Sequence, residues 1–319
     1  MQAILGYRLE IEEGAVLTPL SQTILQQYQV RKTQAQKSAF IKLLQQHFPD
    51  LKIQQGGLCK SRNLIIGDPE GAKVLLCAHY DTCAQLPFPN FIAPKNPILS
   101  FLYGLLLSVP IVILAIAANL LLGLLTGNYW LHYGLTLLVF LGSYFFMIAG
   151  PANKHNANDN TSGVTVLCEL LQTLTPDLRS KAAFVFFDNE ELGLFGSIHF
   201  RSKYKRLTRE KLVINLDCVS DGNAILVSAS KDARKEYGKL LKDSFLFETG
   251  KEILFANAEK TYYPSDQMGF KKSVAIAALK RKWYISYYLD KIHTAQDTIF
   301  DRSNIKYLCQ SILRLLNNF

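Results

Sequence analysis

The sequence lacks the short motifs that mark several large enzyme classes. It contains no G-x-S-x-G nucleophile elbow, no Walker-type phosphate loop and no G-x-G-x-x-G dinucleotide motif. Its six cysteines form no C-x-x-C pair, and a chain of 319 residues can bury a core without disulfides. These absences argue against serine hydrolases with such an elbow, nucleotide-dependent enzymes and disulfide-stapled secreted domains. We expect reduced thiols in a reducing compartment.

Charge is missing from one long stretch in the middle of the chain. Residues 96–153, 58 in all, include no Asp, Glu, Lys or Arg, while about 23% of the remaining residues are charged, as in a soluble domain. Within this block, residues 97–126 and 130–150 are each long enough to cross ~30 Å of hydrocarbon. We therefore predict a transmembrane hairpin with its turn at 127–129. A hairpin buried in a soluble core is the alternative.

The flanks of this block predict the topology. The N-terminal MQAILGYRLEIEEGAV has no basic segment followed by an apolar one, so we expect no cleaved secretory signal. A hairpin places both soluble segments on one side of the membrane. Lys95 and Lys154 flank its outer ends, and its turn has no basic residue. The distribution predicts a membrane protein with two spans and a cytoplasmic catalytic domain.

The net charge of +9 indicates an anionic partner of some kind. The most basic stretch, residues 201–211, includes Tyr204 and is compatible with a nucleic-acid surface. We favour a solvated helix and loop that face anionic headgroups, and we predict no nucleic-acid partner.

Outside the uncharged block, apolar runs alternate with helical patterns. Residues 20–48 predict one amphipathic surface helix, and 63–68 and 73–80 predict a strand pair around a DPEG turn. Further helices are predicted at 161–173, 192–204, 231–245 and 305–316, and further strands at 182–187, 212–216, 224–228 and 274–279.

This alternation predicts a single α/β domain with a largely parallel sheet, interrupted by the hairpin. Residues 1–96 then form the first part of the domain with its N-terminal amphipathic helix. Residues 97–150 form the hairpin, and residues 151–319 form the remainder of the domain.

Histidines and carboxylates follow the predicted strands or precede a helix, where open α/β sheets build their sites. They are His79-Tyr80-Asp81, Asn158-Asp159-Asn160, Asp188-Asn189-Glu190-Glu191, Asp217 and Ile292-His293-Thr294. Each alone has a structural explanation, such as a helix cap or a solvated first turn. Together they would repel one another, because no matching basic cluster accompanies them. A bound cation removes that cost, and this donor set suits two zinc ions that share a carboxylate.

These strings resemble the co-catalytic di-zinc aminopeptidase family, which includes bacterial leucyl aminopeptidase, glutamate carboxypeptidase and glutaminyl cyclase. The resemblance spans residues ~60–317 apart from the apolar block, and it implies a three-layer α/β sandwich around a central mixed, largely parallel sheet. The matching strings are AHYDT (78–82), NANDNTSGV (156–164), FDNEELGLFGS (187–197), NLDCVS (215–220), YPSDQMGF (263–270) and IHTAQDT (292–298).

The resemblance also implies a role for each ligand. His79 and Asp217 would hold one Zn²⁺ ion, Glu191 and His293 would hold the other, and Asp159 would bridge both.

Three further residues take catalytic roles by the same resemblance. Asp81 would fix the ring of His79 by hydrogen bonding. Glu190 would be the general base, because one of two adjacent glutamates must bind metal while the other stays free to accept a proton. Tyr262 would approach the oxyanion, although Tyr263 is its neighbour. The family often has His where this chain has Gln267, a departure that bears on substrate preference rather than on metal binding.

We therefore expect a membrane-anchored zinc metallopeptidase that removes N-terminal residues from peptides, whose substrates approach along the bilayer surface. Another amide hydrolase or a cyclase of the same fold is one alternative. A non-catalytic membrane scaffold is another, although a scaffold has no need of Glu190.

Overall fold

The computed structural model describes residues 17–319, so the N-terminal segment for which we expect no signal lies outside the described residues. Within them the chain forms one sheet with helices on both faces. The strands are β1 (Lys52–Gly56), β2 (Ser61–Ile66), β3 (Val74–His79), β4 (Ala182–Phe187), β5 (Leu212–Leu216), β6 (Ala224–Ala229), β7 (Glu252–Asn257), β8 (Lys272–Lys282) and β9 (Ser286–Tyr288). The helices are α1 (Pro19–Gln27), α2 (Gln34–His47), α3 (Pro97–Leu125), α4 (Tyr129–Ala149), α5 (Gly163–Thr173), α6 (Pro176–Ser180), α7 (Phe195–Lys203), α8 (Leu207–Glu210), α9 (Lys231–Ser244) and α10 (Arg302–Asn317).

The sheet is mixed, with the order β1-β2-β4-β3-β5-β8-β6-β7 and with β9 paired to β8. The four central strands β4, β3, β5 and β8 are parallel, so their carboxyl ends meet at one edge, called here the carboxyl edge. Strands β2 and β3 exist as predicted, but their pairing with each other is wrong. β4 lies between them, antiparallel to β2 and parallel to β3.

The core lies on both faces of the central strands, which explains their unbroken apolar sequences. In β4, Ala182, Phe184 and Phe186 pack on the face covered by α1, α2, α5, α9 and α10. Ala183, Val185 and Phe187 point to the other face, where Phe200 of α7 packs. This arrangement confirms the predicted three-layer α/β class.

The prediction of one helix over residues 20–48 is wrong, because the structure has two. Thr33 begins α2 with a capping box: its hydroxyl accepts from the Gln36 N–H, and the Gln36 side chain accepts from the Thr33 N–H. The segment between the helices carries Arg31, which is fully buried. The break therefore brings a cation inside the domain that a continuous surface helix would have left in solvent.

The apolar block folds as two helices within one or two residues of the predicted bounds. Both α3 and α4 are long and apolar enough to cross a membrane, and only 11% and 6% of their most apolar segments are buried by the rest of the described chain. The Asn119 amide donates to the Thr136 hydroxyl between the two helices at 3.0 Å. The alternative of a hairpin buried in a soluble core is therefore wrong.

Candidate metal centre

The candidate ligands converge because three parallel strands end side by side. β3 ends at His79, β4 leads into residues 188–191, and β5 leads into Asp217. Asp159 lies in the kinked turn Ala157–Ser162 before α5, and His293 lies in the loop after β9. All five sequence-predicted ligands thus lie at the carboxyl edge.

Asp159 lies between the two histidines. Its Oδ1 is 3.3 Å from His79 Nε2, and its Oδ2 is 3.2 Å from His293 Nε2. On one side, Asp217 Oδ1 is 3.5 Å from His79 Nε2. On the other, Glu191 Oε2 is 3.1 Å from His293 Nε2. Each histidine therefore faces its own carboxylate and shares Asp159.

These donors fit zinc. Two donors that each lie about 2.1 Å from a tetrahedral zinc ion are about 3.4 Å apart, which is close to the 3.1–3.5 Å separations found here. Ligand atoms of His79, Asp159 and Asp217 all lie within 4.8 Å of one another. The second oxygen of Glu191, Oε1, is buried without a hydrogen-bond partner among residues 17–319. A bound cation would give that oxygen a partner.

The electrostatics of the cluster also favour a cation. Burial lowers the pKa of His79, but the charge of Glu190 and hydrogen bonds that the ring donates to Asp159 and Asp217 raise it well above its ordinary value. Burial and the neighbouring Asp159 raise the pKa of Glu191, and His293 offsets part of this effect. The raised pKa values show that these groups favour nearby positive charge. Protons would supply that charge when no metal is bound.

The nearest buried basic side chains bond elsewhere. Lys37 Nζ donates to Asp188 at 2.5 Å and to Asn189 at 2.6 Å. Arg31 donates to the carbonyls of Tyr28 and Tyr80 and to the Thr161 hydroxyl. No hydrogen bond that we find in the described chain joins either cation to a candidate ligand.

Asp81 holds both glutamates as well as the histidine. Its carboxylate accepts the backbone N–H of Glu190 at 3.0 Å and that of Glu191 at 3.2 Å. His79 Nδ1 lies 3.2 Å from the Asp81 carbonyl oxygen and 3.6 Å from its carboxylate. The nearer Asp81 partner of the His79 ring is thus the backbone carbonyl oxygen rather than the carboxylate.

Side-chain amides bind the Asp159 turn to the loop after β5. Asn158 Oδ1 accepts from the Ser220 and Asp221 amides, and Asn160 Nδ2 donates to the Leu216 carbonyl. A Cβ on Gly163 would lie 2.3 Å from that carbonyl, so the start of α5 needs glycine to approach β5.

Three residues at the site adopt the left-handed conformation: Asn189 (φ 56°), Cys218 (φ 53°) and His293 (φ 65°). This conformation costs of order 1–3 kcal/mol for each non-glycine residue that adopts it, and such residues typically cluster at functional sites. The surrounding hydrogen bonds thus hold candidate ligands, or their neighbours, in conformations that the chain would otherwise avoid.

The two tyrosines differ in what they bind. The Tyr263 hydroxyl is buried and donates to the Asp217 carbonyl at 2.9 Å. Tyr262 is 51% exposed and lines a cavity of about 210 Å³. Its N–H donates to the Pro94 carbonyl at 2.9 Å. Gln267 is buried and bonds to Tyr263 and Asn215, as a supporting residue would.

Sequence reasoning missed two carboxylates beside the site. Asp297 accepts the N–H of Asn158 and of Asp159, each at 3.0 Å, and burial together with Asp159 raises its pKa to about 8. Asp266 is fully buried, and burial raises its pKa to about 7. Both lie in the quoted strings, IHTAQDT and YPSDQMGF, so the signal was present although neither was assigned a role.

Cys83 was also missed, and no local pattern marks it. Its sulfur lies within 4.8 Å of ligand atoms of Glu191 and His293, although it also donates to Asn156 at 3.5 Å.

Comparison with known proteins identifies the family of this chain. The sequence pattern described as Peptidase family M28 matches residues 142–313, more than half of the chain. The match includes Asp159, Glu190, Glu191, Asp217 and His293, and it begins after His79 and Asp81. No curated protein matches the chain by sequence.

Solved structures resemble the whole fold. The LapA aminopeptidase of Legionella pneumophila has a TM-score of 0.54 and 12% identity, over 93% of this chain and 67% of that protein. LapB from Legionella pneumophila has a TM-score of 0.53 and 13% identity, over 93% and 69%. At such identities the likeness establishes the shared fold, and the sequence match establishes the family. The chain belongs to peptidase family M28 and is a zinc-dependent peptidase.

Proposed function

We propose that this chain is a membrane-anchored aminopeptidase with two zinc ions. The observation that carries the proposal is the position of Asp159, whose two oxygens face two different histidines. His79 and Asp217 would hold one ion, and Glu191 and His293 would hold the other. Asp159 would bind both.

The chemistry then needs a general base beside the metals. When bound, zinc would acidify water and polarise the scissile carbonyl. Glu190 would be the free member of the glutamate pair, and its backbone N–H donates to the Asp81 carboxylate at 3.0 Å. Burial raises its pKa well above the ordinary value, as do Glu191 and Asp266, whereas His79 opposes the rise. A carboxylate with a raised pKa can take a proton from the attacking water and return it to the leaving amine.

Tyr262 is our candidate for the oxyanion donor. The Tyr263 hydroxyl already donates to the Asp217 carbonyl, so its proton is engaged. Tyr262 is half exposed, and its backbone N–H donates to the Pro94 carbonyl in the segment between β3 and α3.

The hairpin would bring the site to the bilayer surface. We propose that residues 1–96 and 151–319 form one catalytic domain and that residues 97–150 form its anchor. The segment between β3 and α3 passes beside the site: the Leu86 N–H donates to the His293 carbonyl at 2.8 Å. Peptides at the membrane surface would therefore be the substrates.

The basic residues near the inner ends of the spans support a cytoplasmic domain. Lys95 and Lys154 flank the hairpin, and Lys32 Nζ donates to the Ile148 carbonyl near the end of α4. The positive-inside tendency places such residues in the cytoplasm. A reporter fused at Asn128 should be extracytoplasmic, and a cytoplasmic reporter would contradict the topology.

Adjacent glutamates supply the matched pair for testing the mechanism. The protein is analysed for metal content and for hydrolysis of aminoacyl amides, N-acetylated peptides and N-terminal glutaminyl peptides. Glu190→Gln should fold, keep two zinc ions and lose turnover, whereas Glu191→Gln should lose one ion. Turnover by Glu190→Gln at the wild-type rate would reject the mechanism. Cleavage of acetylated peptides, or cyclisation of glutaminyl peptides, would indicate another hydrolase or a cyclase. A wild type without metal would indicate a scaffold.

A further inference from the structure

An exposed aromatic tip lies at the end of the β8–β9 hairpin, and nothing in the catalytic proposal uses it. We define the tip as residues 282–285. Trp283 is 94% exposed and Tyr284 is 59% exposed, and the two rings contact each other edge to face. One exposed aromatic residue is unremarkable on a soluble surface, but two adjacent rings on a projecting hairpin form a patch.

The tip projects from the carboxyl edge, where the membrane hairpin also leaves the sheet. β5 ends at Leu216, which is opposite Ile276 of β8. β8 continues from there to Lys282, which is six residues or about 20 Å further. The tip therefore extends well past the edge that carries the metal ligands.

Aromatic contacts join this hairpin to the first apolar helix. Tyr288 of β9 is opposite Lys280 and stacks on Phe91, with ring centroids 6.0 Å apart. Phe91 in turn contacts Tyr103 in the second turn of α3, at 5.2 Å. The tip lies about 10 Å along β8 beyond this contact. It is thus held beside the end of α3 that emerges from the catalytic domain.

The charges of the hairpin fit a headgroup layer. Those of its stem are paired, because Lys280 contacts Asp221 and Asp290. At the tip, Lys282 Nζ lies 5.9 Å from the Tyr284 ring centre and 5.5 Å from that of Tyr288, and its side chain is exposed. An exposed Trp and Tyr beside a lysine match the chemistry of the membrane interface, where amphipathic rings and cations meet anionic headgroups.

We infer that the tip is a second membrane contact, which inserts into the anionic headgroup layer of the bilayer that α3 and α4 cross. The inference rests on the proposed membrane anchor. Two separate attachments would fix the tilt of the domain, so that the carboxyl edge and its metal site face the membrane surface.

Tryptophan fluorescence tests this contact, since the chain has only two tryptophans, Trp130 and Trp283. In a Trp130→Phe protein reconstituted into nanodiscs of phosphatidylcholine and phosphatidylglycerol, all emission comes from Trp283. We expect a blue shift and quenching by lipids brominated at shallow positions. A matched control places the tryptophan at Glu70, which is exposed in the turn at the opposite edge of the sheet. Built as Glu70→Trp with both native tryptophans changed to Phe, it should be quenched several-fold less.

Two outcomes separate this inference from the anchor itself. If the protein resists alkaline extraction from membranes and Trp283 is quenched no more than the Glu70→Trp control, the tip contact is refuted and the anchor stands. If alkaline extraction releases the protein, the anchor fails and the tip inference fails with it.

A Trp283→Ser/Tyr284→Ser variant should hydrolyse a soluble aminoacyl amide at the wild-type rate but a lipid-tethered peptide several-fold more slowly. Equal loss on both substrates would also refute the contact.

Discussion

Replacing Asp81 with Asn separates two roles for this carboxylate. Asp81 is 2% exposed, and its two oxygens accept the amides of Glu190 and Glu191. Burial raises its pKa, but His79 and Lys37 more than offset this and hold it below the ordinary value, so it is ionised at neutral pH. Asn retains one acceptor oxygen and presents an NH₂ group to the second amide. One of the two hydrogen bonds is therefore lost, and the other is made to a neutral acceptor instead of a charged one.

The size of the effect follows from that lost bond. A hydrogen bond to a charged group contributes about 1.5–3 kcal/mol, which corresponds to about 10- to 150-fold in an equilibrium constant. Outer residues that orient metal ligands typically change affinity or activity by about 10- to 100-fold. We expect weaker binding of the ion that we propose for Glu191 and slower turnover through the proposed base Glu190. If Asp81 only oriented His79, its replacement would instead weaken binding of the ion that we propose for His79 and Asp217.

Zinc competition with a chromophoric chelator, together with kcat on an aminoacyl amide, measures both effects. The control is Asp50→Asn at an exposed ion pair with Arg179, where we expect changes of well under 1 kcal/mol. Zinc affinities within twofold of the wild type and an unchanged kcat in Asp81→Asn would refute the positioning role.

Three further predictions concern the buried charges. Lys37→Met leaves Asp188 unpaired and should destabilise the fold by about 3–5 kcal/mol in urea unfolding; adding Asp188→Asn should recover part of this, and additive losses would contradict the pairing. Asp266 has a folded pKa of about 7, above its ordinary value of 3.8, so the metal-free fold should lose stability as pH rises from about 4 to 7, by at most about 1.4 kcal/mol per pH unit. Asp266→Asn should flatten that slope in urea unfolding, and an unchanged slope would assign it to other groups. Chelation should lower the melting temperature of the wild type, since a zinc concentration of 100 Kd stabilises by about 2.7 kcal/mol; Asp159→Asn should respond less, and an equal response would place the metal elsewhere.

Elements that are determined by their own residues and near neighbours could be predicted from the sequence. The run AAFVFF predicted β4 with both of its bounds correct, because a strand buried on both faces needs an unbroken apolar sequence. The uncharged block gave α3 and α4 for a similar reason. The break before α2 also had a local signal, since Thr33 followed by Gln36 forms a capping box. The prediction of one helix there rested on helix-forming composition and helical spacing and did not use that pair.

The remaining features depend on contacts between distant residues. Lys37 pairs with Asp188, which is 151 positions away, and the sequence near either residue does not indicate its partner. The insertion of β4 between β2 and β3 is likewise a choice of strand order that no single segment encodes. The same holds for Cys83, which approaches Glu191 and His293 only because the loop after β3 folds back across the site.

The position of the hairpin in the chain has a consequence for biosynthesis. His79 and Asp81 are made before the apolar helices, and Asp159, Glu190, Asp217 and His293 are made after them. The bridge between Ala84 and Ala152 joins the two flanks once both exist. A nascent chain therefore cannot assemble the candidate metal centre until both apolar helices have been synthesised. The peptidase can acquire activity only after the segment that would hold it at the membrane has been made.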